Sequence, residues 1–264
     1  MAGEPGDIVG ADDWSEVWDE TKFRLPVRVR ASHQADLHRA LLKHLPRGPG
    51  IRLLEVGCAP AGALVYFAEQ FGYEVAGVEY TESGCRLARR NLEAADIEGE
   101  IIQGDFFDFP IEPETFDIVY SAGFIEHFEN WKAVLERKDE LVKPGGWLVI
   151  AWPNLKGVNG WIFRHCCPES RLPHVVLSPQ DVAASLRAMG YEILLARWIS
   201  GPRFVMPLPP RLWGGRHDRL RRWLLLPVRL VNRLSLVAES HLKFTPHSAA
   251  FSMKCAVIAR KPAR

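Results

Sequence analysis

Four short runs of this chain combine small, acidic and aromatic residues in a way that suits a polar, ring-bearing ligand. The first is Glu55-Val56-Gly57-Cys58-Ala59-Pro60-Ala61-Gly62. Small residues such as Gly57, Ala59 and Gly62 let a backbone approach a ligand that a bulky side chain would hold off. Alone, this G-x-A-x-x-G pattern is equally a plain strand-to-helix turn. The second is Glu79-Tyr80, with Glu79 twenty-four residues after Glu55. A carboxylate there can accept both hydroxyls of a ribose, although a solvated strand-end carboxylate reads the same way. The third is Gly104-Asp105-Phe106. Asp105 can accept a hydrogen bond from an adenine amino group, and Phe106 can lie along the ring face. The fourth is Ser121-Ala122-Gly123-Phe124-Ile125-Glu126-His127-Phe128. His127 is its candidate general base, since an unperturbed imidazole titrates at about 6.5. Glu126 reads as a loop contact rather than a base.

These runs gain meaning from the elements that must carry them. Residues 1–13 are rich in Gly, Asp and Pro and read as a loose arm. Residues 14–46 form a helical cap: Leu37, Leu41 and Leu45 follow at intervals of four, and Pro26 divides the segment into two short helices. The main domain spans 47–264. Strand-like runs at 51–56, 73–78, 100–103, 116–121, 147–152, 191–199 and 251–259 alternate with helical runs at 62–71, 82–95, 130–142 and 178–189. Pro179 and Gly190 flank the last helix as start and stop signals. This alternation, with right-handed crossovers, implies an α/β, doubly wound, mostly parallel sheet covered on both faces. All four runs then fall at carboxyl ends of strands, where such sheets bind ligands.

Composition narrows the function classes. The chain has 264 residues, 47% hydrophobic and 25% charged, which suits a globular protein with a core of its own. Lys+Arg 33 against Asp+Glu 32 leaves +1, which speaks against a wholly basic nucleic-acid binder. No apolar run approaches the ~20 residues of a membrane span. The first twenty-one residues carry seven acids and no Lys or Arg, unlike a secretory leader. The five cysteines are odd in number and form no C-x-x-C pair, so a reducing, cytoplasmic setting is expected.

The runs LLEVGCAPAG, GVEYTESGCRLARRNL, QGDFFDFP, FDIVYSAGFIEHF and LVKPGGWLVIAWPN together resemble the class I S-adenosylmethionine-dependent methyltransferases. The resemblance is to their small-molecule branch, which includes the ubiquinone-biosynthesis O-methyltransferases. It is strong over 51–155 and looser beyond. It implies a Rossmann-like, seven-stranded sheet with an antiparallel last strand. The implied cofactor is S-adenosylmethionine, and the implied activity is methyl transfer to a small-molecule acceptor, at oxygen. Carried over by position, Glu55 and Gly57 match the acid and first glycine of the cofactor loop, with Ala59 and Gly62 beside them. Glu79 matches the ribose-binding acid, with Tyr80 adjoining, and Asp105 the adenine-binding acid, with Phe106. Ser121 and Gly123 match the loop beneath the methionine portion. Ala59 and Ala61 depart from the usual glycines. In the family the resemblance points to, the N-terminal helices often cap the pocket, which would bring Trp14, Trp18 and His33 over it; ordinary packing of a helix against the sheet is the favoured reading of these three residues. A non-catalytic binding or assembly protein of the same fold and an RNA methyltransferase remain alternatives. So does a nicotinamide-dependent oxidoreductase, against which the Glu-His-Phe loop and the PGG before the fifth strand speak.

The alternation fails across 200–248, an insertion before the last strand. Arg203, Arg211, Arg216, Arg219, Arg221, Arg222, Arg229, Arg233 and Lys243 face only Asp218 and Glu239 there. A broken amphipathic helix is expected from about 216 to 239. It suits a folded lid, peripheral membrane or lipid contact through 203–243, or a nucleic-acid acceptor; no RNA-binding module is present to favour the last. His165-Cys166-Cys167 and His174 do not form a zinc set, so no metal is expected. Asn154 and Trp161 are candidates for lining the acceptor pocket.

Overall fold

A computed structural model describes residues 6–20, 35–166, 174–202, 204, 218–241 and 246–263. Pro26, His33, Cys167, Arg203, Arg211, Arg216 and Lys243 lie outside them. The strands are β1 (Arg52–Val56), β2 (Glu74–Glu79), β3 (Gly99–Gln103), β4 (Phe116–Ala122), β5 (Val142–Pro153), β6 (Glu192–Pro202) and β7 (Ser252–Arg260). Their near-continuous apolar runs make one sheet in the order β3-β2-β1-β4-β5-β7-β6. β1 runs parallel to β2 and β4, and β7 runs antiparallel to both β5 and β6. The order reverses between β1 and β4, which opens a crevice at their carboxyl ends.

The helices are α1 (Ala11–Glu20), α2 (Ala35–His44), α3 (Gly62–Phe71), α4 (Glu82–Ala94), α5 (Trp131–Leu141), α6 (Val158–Cys166), α7 (Pro179–Ala188) and α8 (Asp218–His241). One face of the sheet packs Leu41, Phe67, Phe71, Cys85 and Leu92 from α2, α3 and α4. The other packs Val134, Leu135, Val182 and Leu186 from α5 and α7. Local chemistry sets the helix starts. Thr81 caps α4 by accepting a hydrogen bond from the Gly84 amide, and Ser178 and Asp181 form a reciprocal capping box that brackets Pro179 at the start of α7. Cys58, Cys85 and Cys255 are buried and not disulfide-bonded.

Several expectations change. β5 begins at Val142, so Pro144-Gly145-Gly146, expected between the helix and a strand at 147–152, lies inside the strand, with Gly145 at φ +76°. α8 is continuous through Pro227, which lies at an exposed position. α6 and a 3-10 turn at Ile125–His127 were not legible. Within the segment read as a loose arm, residues 6–10 dock. Ile8 donates to the His127 carbonyl at 3.0 Å, Glu129 donates to the Gly6 carbonyl at 3.0 Å, and Val9 is fully buried. Among the described residues no helix is long and apolar enough to cross a membrane.

Candidate functional site

The carboxyl ends of β1 to β4 open on a cleft. Gly57 and Ala59 line it after β1, Glu79 and Tyr80 at the end of β2, and Asp105 and Phe106 after β3. Gly123, Phe124, His127 and Phe128 line it after β4. The N-terminal segment adds Asp7, Trp14 and Trp18. Backbone shape decides the first of these positions. Gly57 has φ +70°, and a Cβ there would sit 2.9 Å from the Phe124 ring. Only glycine fits without moving that ring.

The acids of the cleft are held in place. Glu79 is buried, and its Oε1 accepts from the Thr81 amide at 3.0 Å and the Thr81 hydroxyl at 2.9 Å. Asp105 accepts the Phe107 amide proton at 2.8 Å. Asp7 accepts the Val9 amide proton at 2.9 Å. Burial, and the nearby charge of Asp105, raise the Asp7 carboxyl above the usual carboxylate range, against the Val9 bond that lowers it. Among the described residues the lining therefore carries three carboxylates and no Lys or Arg. A ligand bearing positive charge and amino protons is the natural complement.

Aromatic rings build the walls. Trp14 and Trp18 stack with centroids 6.0 Å apart, and Trp14 meets His127 edge-on at 5.0 Å. The His174 ring lies 4.7 Å from that of His127. The His127 side chain thus packs against two rings in the turn after β4. Phe124 packs on Phe106 and Phe128.

Three residues expected to contact the cofactor, Glu55, Gly62 and Ser121, stand outside the cleft lining. Glu55 turns to the start of α3, where the Leu64 amide bonds its carboxylate. Burial pushes that carboxyl well above the usual range, and Oε2 finds no partner among the described residues. Gly62 is the first residue of α3, with ordinary backbone and open space where a Cβ would go. Ser121 is still inside β4; it is fully buried and bonded by the Lys138 ammonium at 2.5 Å. Asn154 donates to the Ala249 and Ser252 carbonyls and ties β5 to β7, and Trp161 is largely exposed. Among the described residues no group of three His, Cys, Asp or Glu is placed to hold a metal ion.

Sequence reasoning missed Lys138. It lies on α5, fully buried, with Nζ 5.1 Å from the Phe124 ring. Burial lowers its amine to about 7. Glu126, at 1% exposure, is pushed up to about 7 by burial, against the nearby charges of Lys138 and Lys254. The signal was present: Lys138 follows Val134 by four and precedes Leu141 by three, in phase with the apolar face of its helix.

Residues 54–150 match the family model described as "Methyltransferase domain". The 24-methylenesterol C-methyltransferase 2 of Oryza sativa subsp. japonica is 28% identical over 226 residues, covering 80% of this chain and 58% of that one. The cyclopropane-fatty-acyl-phospholipid synthase of Escherichia coli K12 is 27% identical over 156 residues, covering 56% of this chain and 38% of that one. This chain thus spans only part of the length of either relative. A phosphoethanolamine N-methyltransferase 2 of Haemonchus contortus, solved with phosphomonomethylethanolamine and S-adenosylhomocysteine, shares the fold at TM-score 0.58 and 17% identity. That likeness covers 95% of this chain and 57% of that one.

Proposed function

We propose that this chain, whose residues 54–150 match the methyltransferase-domain model, is a class I S-adenosylmethionine-dependent methyltransferase that methylates an oxygen of a small, lipid-like acceptor. The observation that carries the reading is the cleft at four successive strand ends, lined among the described residues by three carboxylates held in hydrogen bonds, by His127 and by a glycine whose Cβ would meet the Phe124 ring. Those residues fit the cofactor. Glu79, pinned by Thr81, receives ribose hydroxyls. Asp105 receives the adenine amine, with Phe106 along the ring face. Gly57 and Gly123 bring backbone close, while Glu55 and Ser121 support the same turns from below. When bound, S-adenosylmethionine supplies a methyl group already activated by its sulfonium charge. The chain's task is then alignment, the largest lever it has. His127, held by Trp14 and His174, accepts the proton of an acceptor hydroxyl. Trp14 and Trp18 keep water from the donor.

The names of the rice and Escherichia coli relatives favour lipids as the acceptor class, and a C-methyltransferase name among them supports carbon as a second acceptor atom. A cytoplasmic protein working at lipid surfaces fits both. Parallel calorimetric titrations with S-adenosylhomocysteine and NAD test the donor. Tight binding of the former alone is expected; NAD binding alone would point to an oxidoreductase, and binding of neither to a non-catalytic scaffold. A methyl-donor turnover screen against phenols, carboxylates, amines and lipids, with mass analysis of the product, then assigns the acceptor atom. Turnover on carbon alone would overturn the oxygen assignment.

A further inference from the structure

α8 reverses the usual order of a surface helix, whose apolar stripe faces the core and whose polar side faces water. Leu226, Leu230 and Leu234 follow at intervals of four, so they stack on one side of the helix. They are 47%, 58% and 58% exposed, and Val231 beside them is 39% exposed. The anchored side is elsewhere. Asn232 Nδ2 donates to the Phe204 carbonyl at 3.0 Å, and its Oδ1 accepts from the Phe204 amide at 2.8 Å. Asn232 lies two residues from both Leu230 and Leu234, about 200° round the helix, so the bond that docks α8 points the leucines outward. Arg229 and Arg233 are exposed and flank the stripe. From 219 to 238 the sequence has five Arg and no Asp or Glu.

We propose that this face of α8 lies on an anionic lipid surface, with Leu226, Leu230 and Leu234 in the acyl boundary and Arg229 and Arg233 at the phosphates. Charge selects this occupant over a second copy of the chain. Two such faces packed together would set arginines against arginines, with no acid between 219 and 238 to pair them. A lipid leaflet supplies both missing partners, apolar depth and negative headgroups, within one helix diameter. A nucleic acid supplies only the charge and leaves the leucines in water.

The test is sedimentation of the full chain with vesicles of phosphatidylcholine alone, or mixed with phosphatidylglycerol. Binding to the mixed vesicles is expected to exceed binding to the neutral ones by about tenfold or more, and to weaken as salt rises. Leu230→Glu with Leu234→Glu should abolish binding to both. Arg229→Glu with Arg233→Glu should abolish the preference for anionic lipid. Both pairs are exposed, and both variants should keep the melting temperature and the S-adenosylhomocysteine affinity of the parent, which separates this surface from the donor cleft. A leucine variant that binds like the parent, or a parent that ignores both kinds of vesicle, overturns the proposal. So does a parent dimer that the leucine variant splits, which would make the face a self-contact.

Discussion

The Thr81 hydroxyl serves two structures at once: it donates to Glu79 and accepts from the first turn of α4. Removing it should therefore move two measurements together. Thr81→Val is expected to lower stability by about 1 kcal/mol, the usual value of an N-cap, and to weaken S-adenosylhomocysteine binding; Thr81→Ser should retain both. Glu79→Ala should weaken that binding by about 1.5–3 kcal/mol, the range for hydrogen bonds to a charged group. Unchanged affinity by calorimetry would remove Glu79 from the site. His127→Ala should slow turnover by about 10²–10⁴ if it is the base, and a near-normal rate would leave it a wall of the cleft. Beneath them, Glu126 and Lys138 set a pH dependence. The folded state raises Glu126 from 4.5 to about 7, so its share of stability is full below 4.5 and lost as pH rises to about 7. It lowers Lys138 from 10.5 to about 7, so that share is full above 10.5 and lost as pH falls to about 7. The two losses meet near neutrality. The gain in melting temperature of Glu126→Gln with Lys138→Met over the parent should peak near pH 7 and shrink on either side. A flat difference would show that neither group titrates as its burial implies.

At the scale of elements, α3 begins on a strained residue: Ala61 has φ +68° and no side chain caps the helix. Relief of left-handed strain favours glycine there by roughly 1–2 kcal/mol. Against it stand the loss of a fully buried methyl, about 0.8 kcal/mol, and the added freedom of an unfolded glycine, about 0.4–1 kcal/mol. These nearly cancel, so Ala61→Gly should leave stability within about 0.5 kcal/mol of the parent in urea melts. That near-balance accounts for alanine standing where the resemblance has glycine. Gly57→Ala differs, because strain and the Phe124 clash add; a loss of about 2 kcal/mol or more is expected. The strand ends were readable because parallel strands buried on both faces show as plain apolar runs. The roles of Glu55 and Ser121 were not. Both lie inside strands, where successive side chains take opposite faces, and one residue of offset decides between cleft and support. Docking of residues 6–10 leaves no local pattern at all, since its partner, the loop at 127–129, is far along the chain.

Over the whole molecule, the sheet and the N-terminal segment contribute differently to one cleft. β1 to β7 hold the core, whereas α1 supplies Trp14 and Trp18 and packs on α4, with weak polar contacts between the two helices. Ser83 donates to the Ser15 carbonyl at 3.4 Å, and Arg86 meets Asp19 at 3.8 Å with both side chains largely exposed. An exposed pair of that kind contributes little. α1 should therefore open more easily than the sheet, and a ligand that touches both should stabilise α1 most. S-adenosylhomocysteine at a hundred times its dissociation constant adds about 2.7 kcal/mol, which for a chain of this size raises the melting temperature by roughly 5–10 °C. Amide exchange at residues 11–20 should slow together with that rise. Trp14→Ala with Trp18→Ala should keep the ligand-free melting temperature near the parent's, because these side chains face the cleft and not the sheet core, yet shrink the ligand-induced rise at the same concentration. An unchanged rise and unprotected amides would mean that the four strand ends bind the donor alone, with α1 serving only the acceptor.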